Sequence, residues 1–219
     1  MTDLPKQPLS PERARKLKEA VRQRQPNLTV ILENVYDRHN IAAVVRSAES
    51  IGIGEIFILY TERNVEEVEM SKRSSAGSRK WVDIHLYNDA DACFKHIRSK
   101  YKRIIATHLG EKAESIYSLD LTDSTALLFG NEHVGLSERA LQEADANMII
   151  PQAGMTQSLN ISVASAVTLY EAYRQRMEKG YYSSNPLLNE TEQAELYDYY
   201  VARSRVKGYN LYIKMTEDR

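Results

Sequence analysis

The fold of this chain is decided by residues 125–135, which read TALLFGNEHVG. An apolar run without polar alternation is typical of a strand that is covered on both faces, as in a parallel sheet. The run ends directly at Gly130, where a glycine lets a ligand approach the backbone closely. An ordinary turn would explain Gly130 and Gly135, but not the polar pair Asn131 and Glu132 between them. The segment predicts a buried strand that ends either at a ligand site or in an ordinary turn.

Strand-like and helix-like patterns alternate on both sides of this segment. The other candidate strands are 28–34, 55–60, 82–86, 103–107 and 147–150, and the candidate helices are 40–51, 89–100, 137–144 and 158 to about 179. This alternation predicts an α/β fold, a mainly parallel sheet with helices on both faces. The last of these helices is expected to bury one apolar stripe, formed by Val163, Ala166, Val167 and Tyr170.

We expect three regions along the chain. Residues 1–26 form a basic helical extension with Ser10 as helix cap, 27–179 form the α/β domain, and 180–219 form a second helical extension. The last region holds seven tyrosines interleaved with basic residues. Those tyrosines could stack on unpaired RNA bases, or they could pack the last helix on the domain or on a dimer partner.

Two further strand exits carry polar residues at the edge where open parallel sheets bind ligands. In the first, NVYDRHNIAAVVR (34–46), Arg46 lies off the apolar stripe of the helix, so a long side chain could reach back toward Asn40. In the second, IIPQAGMTQSLNIS (149–162), Ser158 or Asn160 opens the longest helix. The alternative is that these residues are helix caps and solvated surface groups.

The composition of the chain is that of a globular protein in a reducing compartment. Among 219 residues, 42% are apolar and 27% charged, and there is one cysteine, Cys93. No apolar run approaches the ~18 residues of a membrane span, and the N-terminus lacks the apolar core of a signal peptide. We expect a cytoplasmic protein with no disulfide, no metal site and no membrane partner. Cys93 is interpreted as a plain helix residue.

Basic residues cluster in two places although the net charge is only −1. Residues 1–26 hold seven Lys/Arg against three Asp/Glu, and 71–80 hold four bases and no acid. Such patches can contact phosphates, and the candidates are Arg13, Arg15, Lys72 and Arg73. The alternative is that they are solvated surface charges.

A nicotinamide-dependent dehydrogenase is disfavoured by the position of the glycines. The G-x-G pair Gly52 and Gly54 lies after a helix and before a strand, which is the reverse of the phosphate-binding arrangement.

Taken together, the three strand exits resemble the three sequence motifs of the SPOUT class, specifically its SpoU/TrmH-type ribose methyltransferases. The matching residues are Asn40 and Arg46 in the first motif, Gly130, Asn131, Glu132 and Gly135 in the second, and Ile150, Pro151, Ser158, Leu159 and Asn160 in the third. The leading helix, the segment SSAGSRKW and the tail resemble the branch that methylates a guanosine at position 18 of the tRNA D-loop.

The resemblance implies a fold whose C-terminal part is threaded into a deep trefoil knot, and an obligate homodimer with the site near the interface. It implies S-adenosylmethionine as cofactor and tRNA, not DNA, as partner. The implied cofactor contacts are Thr107, Gly130, Ile150 and Leu159. The implied catalytic group is Arg46, with ribose, cofactor and Arg46 positioned by Asn40, Glu132, Ser158 and Asn160.

Two roles stay open for Arg46. It is either a base whose surroundings disfavour its charge, or a cation that stabilises the developing ribose alkoxide, and the second is favoured because guanidinium stays protonated in proteins. Two other functions are also open. One is ribose methylation of another tRNA site or of rRNA, and the other is RNA binding without catalysis.

Overall fold

The computed structural model describes residues 9–69, 77–110, 113–156, 158–205 and 212–214, and its centre is a seven-stranded sheet. In chain order the strands are β1 (Leu28–Glu33), β2 (Glu55–Leu59), β3 (Glu67–Glu69), β4 (Asp83–Tyr87), β5 (Arg103–Thr107), β6 (Glu114–Ser115), β7 (Thr125–Phe129), β8 (Ala146–Ile149) and β9 (Tyr212–Lys214). The sheet order is β4-β2-β1-β7-β5-β8-β6, and every neighbouring pair is parallel. Strands β3 and β9 form a separate antiparallel pair.

The described ranges contain six α-helices, and each begins at a polar cap, as its sequence dictates. They are α1 (Pro11–Arg22), α2 (Arg38–Ser50), α3 (Ala90–Lys100), α4 (Glu138–Gln142), α5 (Ile161–Glu178) and α6 (Glu190–Ser204). A 3₁₀ helix covers Ser78–Trp81. The α/β fold is thus confirmed. The short strands β3, β6 and β9 were not predicted, because two or three residues are too few to show a period.

Both faces of the sheet are covered by apolar side chains, which is why β1 is buried along its whole length. Val30 and Leu32 belong to the core cluster that also holds residues of α2 and α5. Ile31 points to the opposite face, where the cluster includes residues of α3 and α4. The cysteine prediction is confirmed, since Cys93 is buried in this second cluster and burial raises the pKa of its thiol.

The inward face of α5 differs from the prediction. Val163 and Tyr170 are 47% and 53% exposed, so the expectation that both lie in the core was wrong. The buried side of the helix includes Ile161, Ser165, Thr168, Leu169, Ala172 and Arg176. The error has a physical cause. The helix carries apolar residues on both sides, so its apolar period does not identify the buried side. Polar residues can also lie on the buried side, because the Thr168 hydroxyl donates to the backbone carbonyl of Ala164 at 3.0 Å.

The two flanking helices pack on each other beside the amino ends of β1 and β2. Leu17 and Val21 of α1 form a third apolar cluster with Tyr200 of α6. The Tyr200 hydroxyl donates to the carbonyl of Trp81 at 3.0 Å, and that of Tyr182 donates to the carbonyl of Ile51 at 2.7 Å. These two tail tyrosines therefore pack the domain. In the described part of the chain, no helix is long and apolar enough to cross a membrane.

Candidate active site

Side chains from the three strand exits meet at the carboxyl edge of the sheet. The Asn40 amide donates to Glu132 Oε1 at 2.6 Å, and the Asn160 amide donates to Asn40 Oδ1 at 3.2 Å. Asn40 is free to make both contacts because Asp37, not Asn40, caps α2 through the backbone N–H of His39. The interpretation of Asn40 as a helix cap is therefore wrong.

Asn160 fulfils both of the interpretations that the sequence left open. Its Oδ1 caps α5 by accepting from the backbone N–H of Ser162 at 2.9 Å and from the Ser162 hydroxyl at 2.6 Å. Its amide nitrogen is left to contact Asn40. One side chain thus fixes the start of the longest helix and joins it to the site.

The loop after β7 is closed on itself, which explains its glycines. Asn131 and Gly135 exchange two backbone hydrogen bonds of 2.9 Å, and Gly135 has a left-handed φ of +74°. A Cβ on Gly130 would collide with the backbone of Gly135 and Leu136. The tight turn thus requires both glycines, and it carries Glu132 to Asn40.

A cavity of about 310 Å³ adjoins this cluster. It is lined by all four residues that the resemblance assigns to the cofactor, Thr107, Gly130, Ile150 and Leu159. Glu132 and Ser158 also line it, and Ser158 is exposed.

The lining of the cavity suits an adenosyl ligand. Apolar side chains form much of the wall, including Phe129, Leu136 and Ile161, and the polar groups are few. The lining residues in the described ranges include no lysine or arginine to pair with a phosphate, and Glu132 contributes a carboxylate. These groups fit a nucleoside that bears a cationic sulfonium better than a pyrophosphate cofactor. Among the same described residues, no group of three or more His, Cys, Asp and Glu side chains is arranged to hold a metal ion.

Arg46 lies apart from the Asn40 cluster within the single chain. It is exposed on α2, six residues after Asn40, which corresponds to about 9 Å along the helix axis. With the residues that the structure describes, Arg46 makes no hydrogen bond or ion pair. Its side chain is therefore available to a substrate or to a second subunit.

Sequence reasoning missed two residues that shape the site, Glu33 and Asn34. Glu33 is fully buried at the end of β1, and Asn34 follows in the left-handed region with a φ of +54°. The signal was present in the sequence. A glutamate at the end of a buried apolar strand needs a hydrogen-bonding partner.

The fold and the site define an open α/β protein that binds a ligand at the carboxyl ends of its parallel strands. The chain belongs to the SpoU rRNA Methylase family, whose profile matches residues 27–170. It is 40% identical over 187 residues to the tRNA (guanosine(18)-2'-O)-methyltransferase of Thermus thermophilus, and the match covers 85% of this chain and 95% of that protein.

Solved structures agree with this family. The A. aeolicus TrmH/SpoU tRNA modifying enzyme superimposes with a TM-score of 0.79 and 33% identity, over 90% of this chain and 98% of that one. The SpoU methyltransferase AviRb from Streptomyces viridochromogenes, in complex with the cofactor AdoMet, has a TM-score of 0.62 and 27% identity, over 71% of this chain and 62% of that one.

Proposed function

We propose that this protein transfers a methyl group from S-adenosylmethionine to the ribose 2'-hydroxyl of a tRNA guanosine, at position 18 of the D-loop. The observation that carries this proposal is the Asn40–Glu132–Asn160 cluster beside an apolar cavity. The chain that holds it is 40% identical to an enzyme named for this reaction.

The cavity residues hold the cofactor in this proposal. Thr107, Gly130, Ile150 and Leu159 contact it, largely through backbone groups, and the apolar wall covers the adenosyl portion. Bound S-adenosylmethionine supplies a methyl group that is already activated by its sulfonium. The protein's main tasks are therefore to align the ribose oxygen and to help remove its proton.

The polar cluster orients the nucleophile. Asn40 is fixed on both sides by Glu132 and Asn160, so its position is set before the ribose arrives. Ser158 faces the same cavity and positions the ribose or the cofactor. The guanidinium of Arg46 stabilises the alkoxide that develops on the 2'-oxygen, and its alternative role is to accept the 2'-hydroxyl proton.

The flanking regions dock the RNA in this proposal. Arg13 and Arg15 are exposed on α1 and are available to phosphates. Lys72 and Arg73, the other two candidates, lie outside the described residues. The division into 1–26, 27–179 and 180–219, the trefoil knot and a cytoplasmic location also stay predictions.

We also propose a homodimer that covers the outward face of α5. Val163, Tyr170 and Met177 are 47%, 53% and 51% exposed and are spaced seven residues apart, so they form one apolar line. Exposed apolar rows of this kind mark association surfaces. The Tyr170 hydroxyl lies 3.4 Å from Ser50 Oγ of α2, so the surface adjoins the helix that carries Arg46.

The reaction is tested with purified protein, labelled S-adenosylmethionine and two tRNA transcripts that differ only at position 18, guanosine or adenosine. We expect ribose methylation at guanosine 18 and none on the adenosine transcript. Methylation of both transcripts, or of rRNA fragments alone, would contradict the assigned nucleotide. RNA binding without any transfer would contradict the enzymatic proposal and support a non-catalytic RNA-binding protein.

A further inference from the structure

Among the described residues, both carboxylate oxygens of Glu33 accept their hydrogen bonds from one residue, Ser137. Glu33 is 0% exposed, and its side chain points with Ile31 toward the face that holds α3 and α4. Its Oε2 accepts from the backbone N–H of Ser137 at 2.9 Å, and its Oε1 accepts from the Ser137 hydroxyl at 2.6 Å.

Ser137 is the point at which the loop after β7 becomes a helix. It is the N-cap of α4, and its hydroxyl oxygen accepts from the backbone N–H of Ala140 at 3.1 Å. Residues 130–136, which include Glu132, end directly before it. By accepting from both hydrogen-bond donors of Ser137, its N–H and its hydroxyl, Glu33 fixes the end of this loop.

Asn34, the residue after Glu33, holds the start of the same loop. Its carbonyl accepts from the Asn131 amide at 2.8 Å. Its own side chain is tied to the end of β2 through Thr61, since Nδ2 donates to Thr61 Oγ1 and Oδ1 accepts from the Thr61 backbone, each at 2.9 Å. Two consecutive residues at the end of β1 thus clamp the loop at both ends.

This clamp determines where the loop's functional atoms lie. Gly130, Glu132 and Leu136 line the cavity, and Glu132 crosses to the α2 side to meet Asn40. A buried carboxylate that is paired only with neutral donors adds little to net stability, because its desolvation offsets its hydrogen bonds. The effect of Glu33 is therefore expected in the geometry of the loop more than in the stability of the fold.

We infer that Glu33 is a positioning residue for methyl transfer, which acts through Ser137 to hold the 130–136 loop against both the cofactor cavity and Asn40. This inference rests on the proposed function. It assigns Glu33 no contact with the substrate or the cofactor.

The test compares wild type with Glu33→Leu, Glu33→Gln and a control, Glu55→Gln. Glu55 is another largely buried carboxylate with several hydrogen bonds, but it lies at the amino end of β2, away from the site. Four quantities are measured: the Kd for S-adenosylhomocysteine by calorimetry, kcat and KM on the tRNA transcript, and amide hydrogen exchange at residues 131–137.

We expect Glu33→Leu to weaken S-adenosylhomocysteine binding and to lower kcat by about tenfold or more each, since small displacements of positioned groups have effects of this size. Exchange at 131–137 should rise. Glu33→Gln should keep most of the wild-type affinity and kcat. Its side-chain carbonyl can accept from the Ser137 N–H while its amide donates to the Ser137 hydroxyl. Glu55→Gln should lower the melting temperature and leave the Kd, kcat and loop exchange unchanged.

A Glu33→Leu variant that melts earlier but keeps the wild-type Kd, kcat and loop exchange would overturn the inference. So would a Glu33→Gln variant as defective as Glu33→Leu. If Glu33→Leu does not fold, Ser137→Ala removes the hydroxyl bond and leaves the backbone bond to Glu33, so it must show smaller losses of the same kind. If wild type itself transfers no methyl group, the proposed function fails, while loop exchange in the variants still decides the positioning role.

Discussion

At the scale of single residues, Arg46 differs from Asn40, Glu132 and Asn160 in having no fixed partner in the described chain. Asn40, Glu132 and Asn160 hold each other in place, whereas Arg46 lies about 1.7 turns further along α2. A guanidinium in this setting can turn toward a ribose and a neighbouring phosphate at once, because its planar fork offers five donors.

We predict that Arg46→Ala abolishes methyl transfer while the affinity for S-adenosylmethionine and the melting temperature stay near wild type. Its side chain is exposed, so truncation opens no core cavity. Arg46→Lys keeps the charge but loses the planar fork, and any activity that it retains measures the contribution of charge alone. Single-turnover rates and calorimetry provide the measurements, with Lys95→Ala on exposed α3 surface as the control. Ordinary turnover by Arg46→Ala would contradict the catalytic role.

At the scale of elements, α5 is anchored at both edges of the sheet. Asn160 joins its start to the site, and Arg176 joins its last turn to the amino ends of β1 and β7. Arg176 is fully buried, and burial lowers the pKa of its guanidinium to about 10. Its acceptors are uncharged: the carbonyls of Leu121, Asp123 and Asn27, and the side-chain oxygens of Gln25 and Asn27.

We predict that Arg176→Met lowers the free energy of unfolding by about 3 kcal/mol or more, because several buried acceptors lose their donor together. The neighbouring Arg174→Met is the control. Arg174 is 54% exposed, and its pair with exposed Glu178 contributes at most about 1 kcal/mol. Its other partner, Glu171, is buried but keeps a hydrogen bond from Gln175 when Arg174 is replaced. Urea unfolding measures both variants. Similar losses for the two would show that the buried contacts of Arg176 are not what anchors the helix.

The carboxylate of Glu55, at the amino end of β2, joins that strand to the middle of β4 and to the end of α3. Burial alone would raise its pKa. Hydrogen bonds from His85, Lys100 and Tyr101 outweigh burial and lower the pKa from 4.5 to about 2. Ionised Glu55 therefore stabilises the fold above about pH 4.5, and this contribution disappears as the pH falls through about 2.

We predict that wild type loses about 3 kcal/mol of stability from this one group between pH 4.5 and pH 2. Glu55→Gln should be less stable at neutral pH and should lose less on acidification, because it has no carboxylate to protonate. Urea unfolding at several pH values measures both proteins, with the exposed Glu195→Gln as the control. If the free energy of unfolding fell equally with pH in wild type and Glu55→Gln, the loss of stability could not be assigned to Glu55.

At the scale of the whole molecule, the site and the basic leading helix lie toward opposite edges of the sheet. The Asn40 cluster stands at the carboxyl ends of the strands, whereas the residues after α1 contact the amino end, where the Gln25 N–H donates to the Gly52 carbonyl. A tRNA that touches both regions must span the sheet or bridge two subunits. Dimer formation therefore affects which surfaces one tRNA can contact.

We predict that Tyr170→Glu, alone or with Val163→Glu, converts a dimer to a monomer, because a carboxylate in an apolar interface is desolvated without a partner. The mass in solution is measured by light scattering after size exclusion. Tyr117→Glu is the matched control, since Tyr117 is 62% exposed but lies outside α5. A wild-type monomer, or dimers of unchanged stability in the α5 variants, would rule out this face as the interface.

We predict that neutralising Arg13, Arg15, Lys72 and Arg73 together weakens tRNA binding and flattens its salt dependence. Each lost phosphate contact reduces the slope of log K against log salt by roughly 0.7–0.9. Binding of S-adenosylmethionine should be unchanged, because the cavity residues are untouched. tRNA affinity is measured at several salt concentrations, with neutralised Lys95 and Lys102 as the control. Equal affinity and slope for wild type and the fourfold variant would leave the tail as the better docking candidate.

The sequence by itself determined the parallel sheet, the six main strands to within one residue at most ends, and the three polar strand exits, two of which line the cavity. These features are local, because apolar periods, caps and glycine turns are set by neighbours along the chain.

Only the tertiary structure decided which exits touch. Asn40 and Glu132 are 92 residues apart in sequence, and they meet because β7 lies beside β1 in the sheet, an order that no local pattern encodes. The same holds for the outward face of α5 and for Glu33 on Ser137. A helix that is apolar on both sides has no preferred inward face of its own, and a buried carboxylate finds its partner only when distant segments pack together.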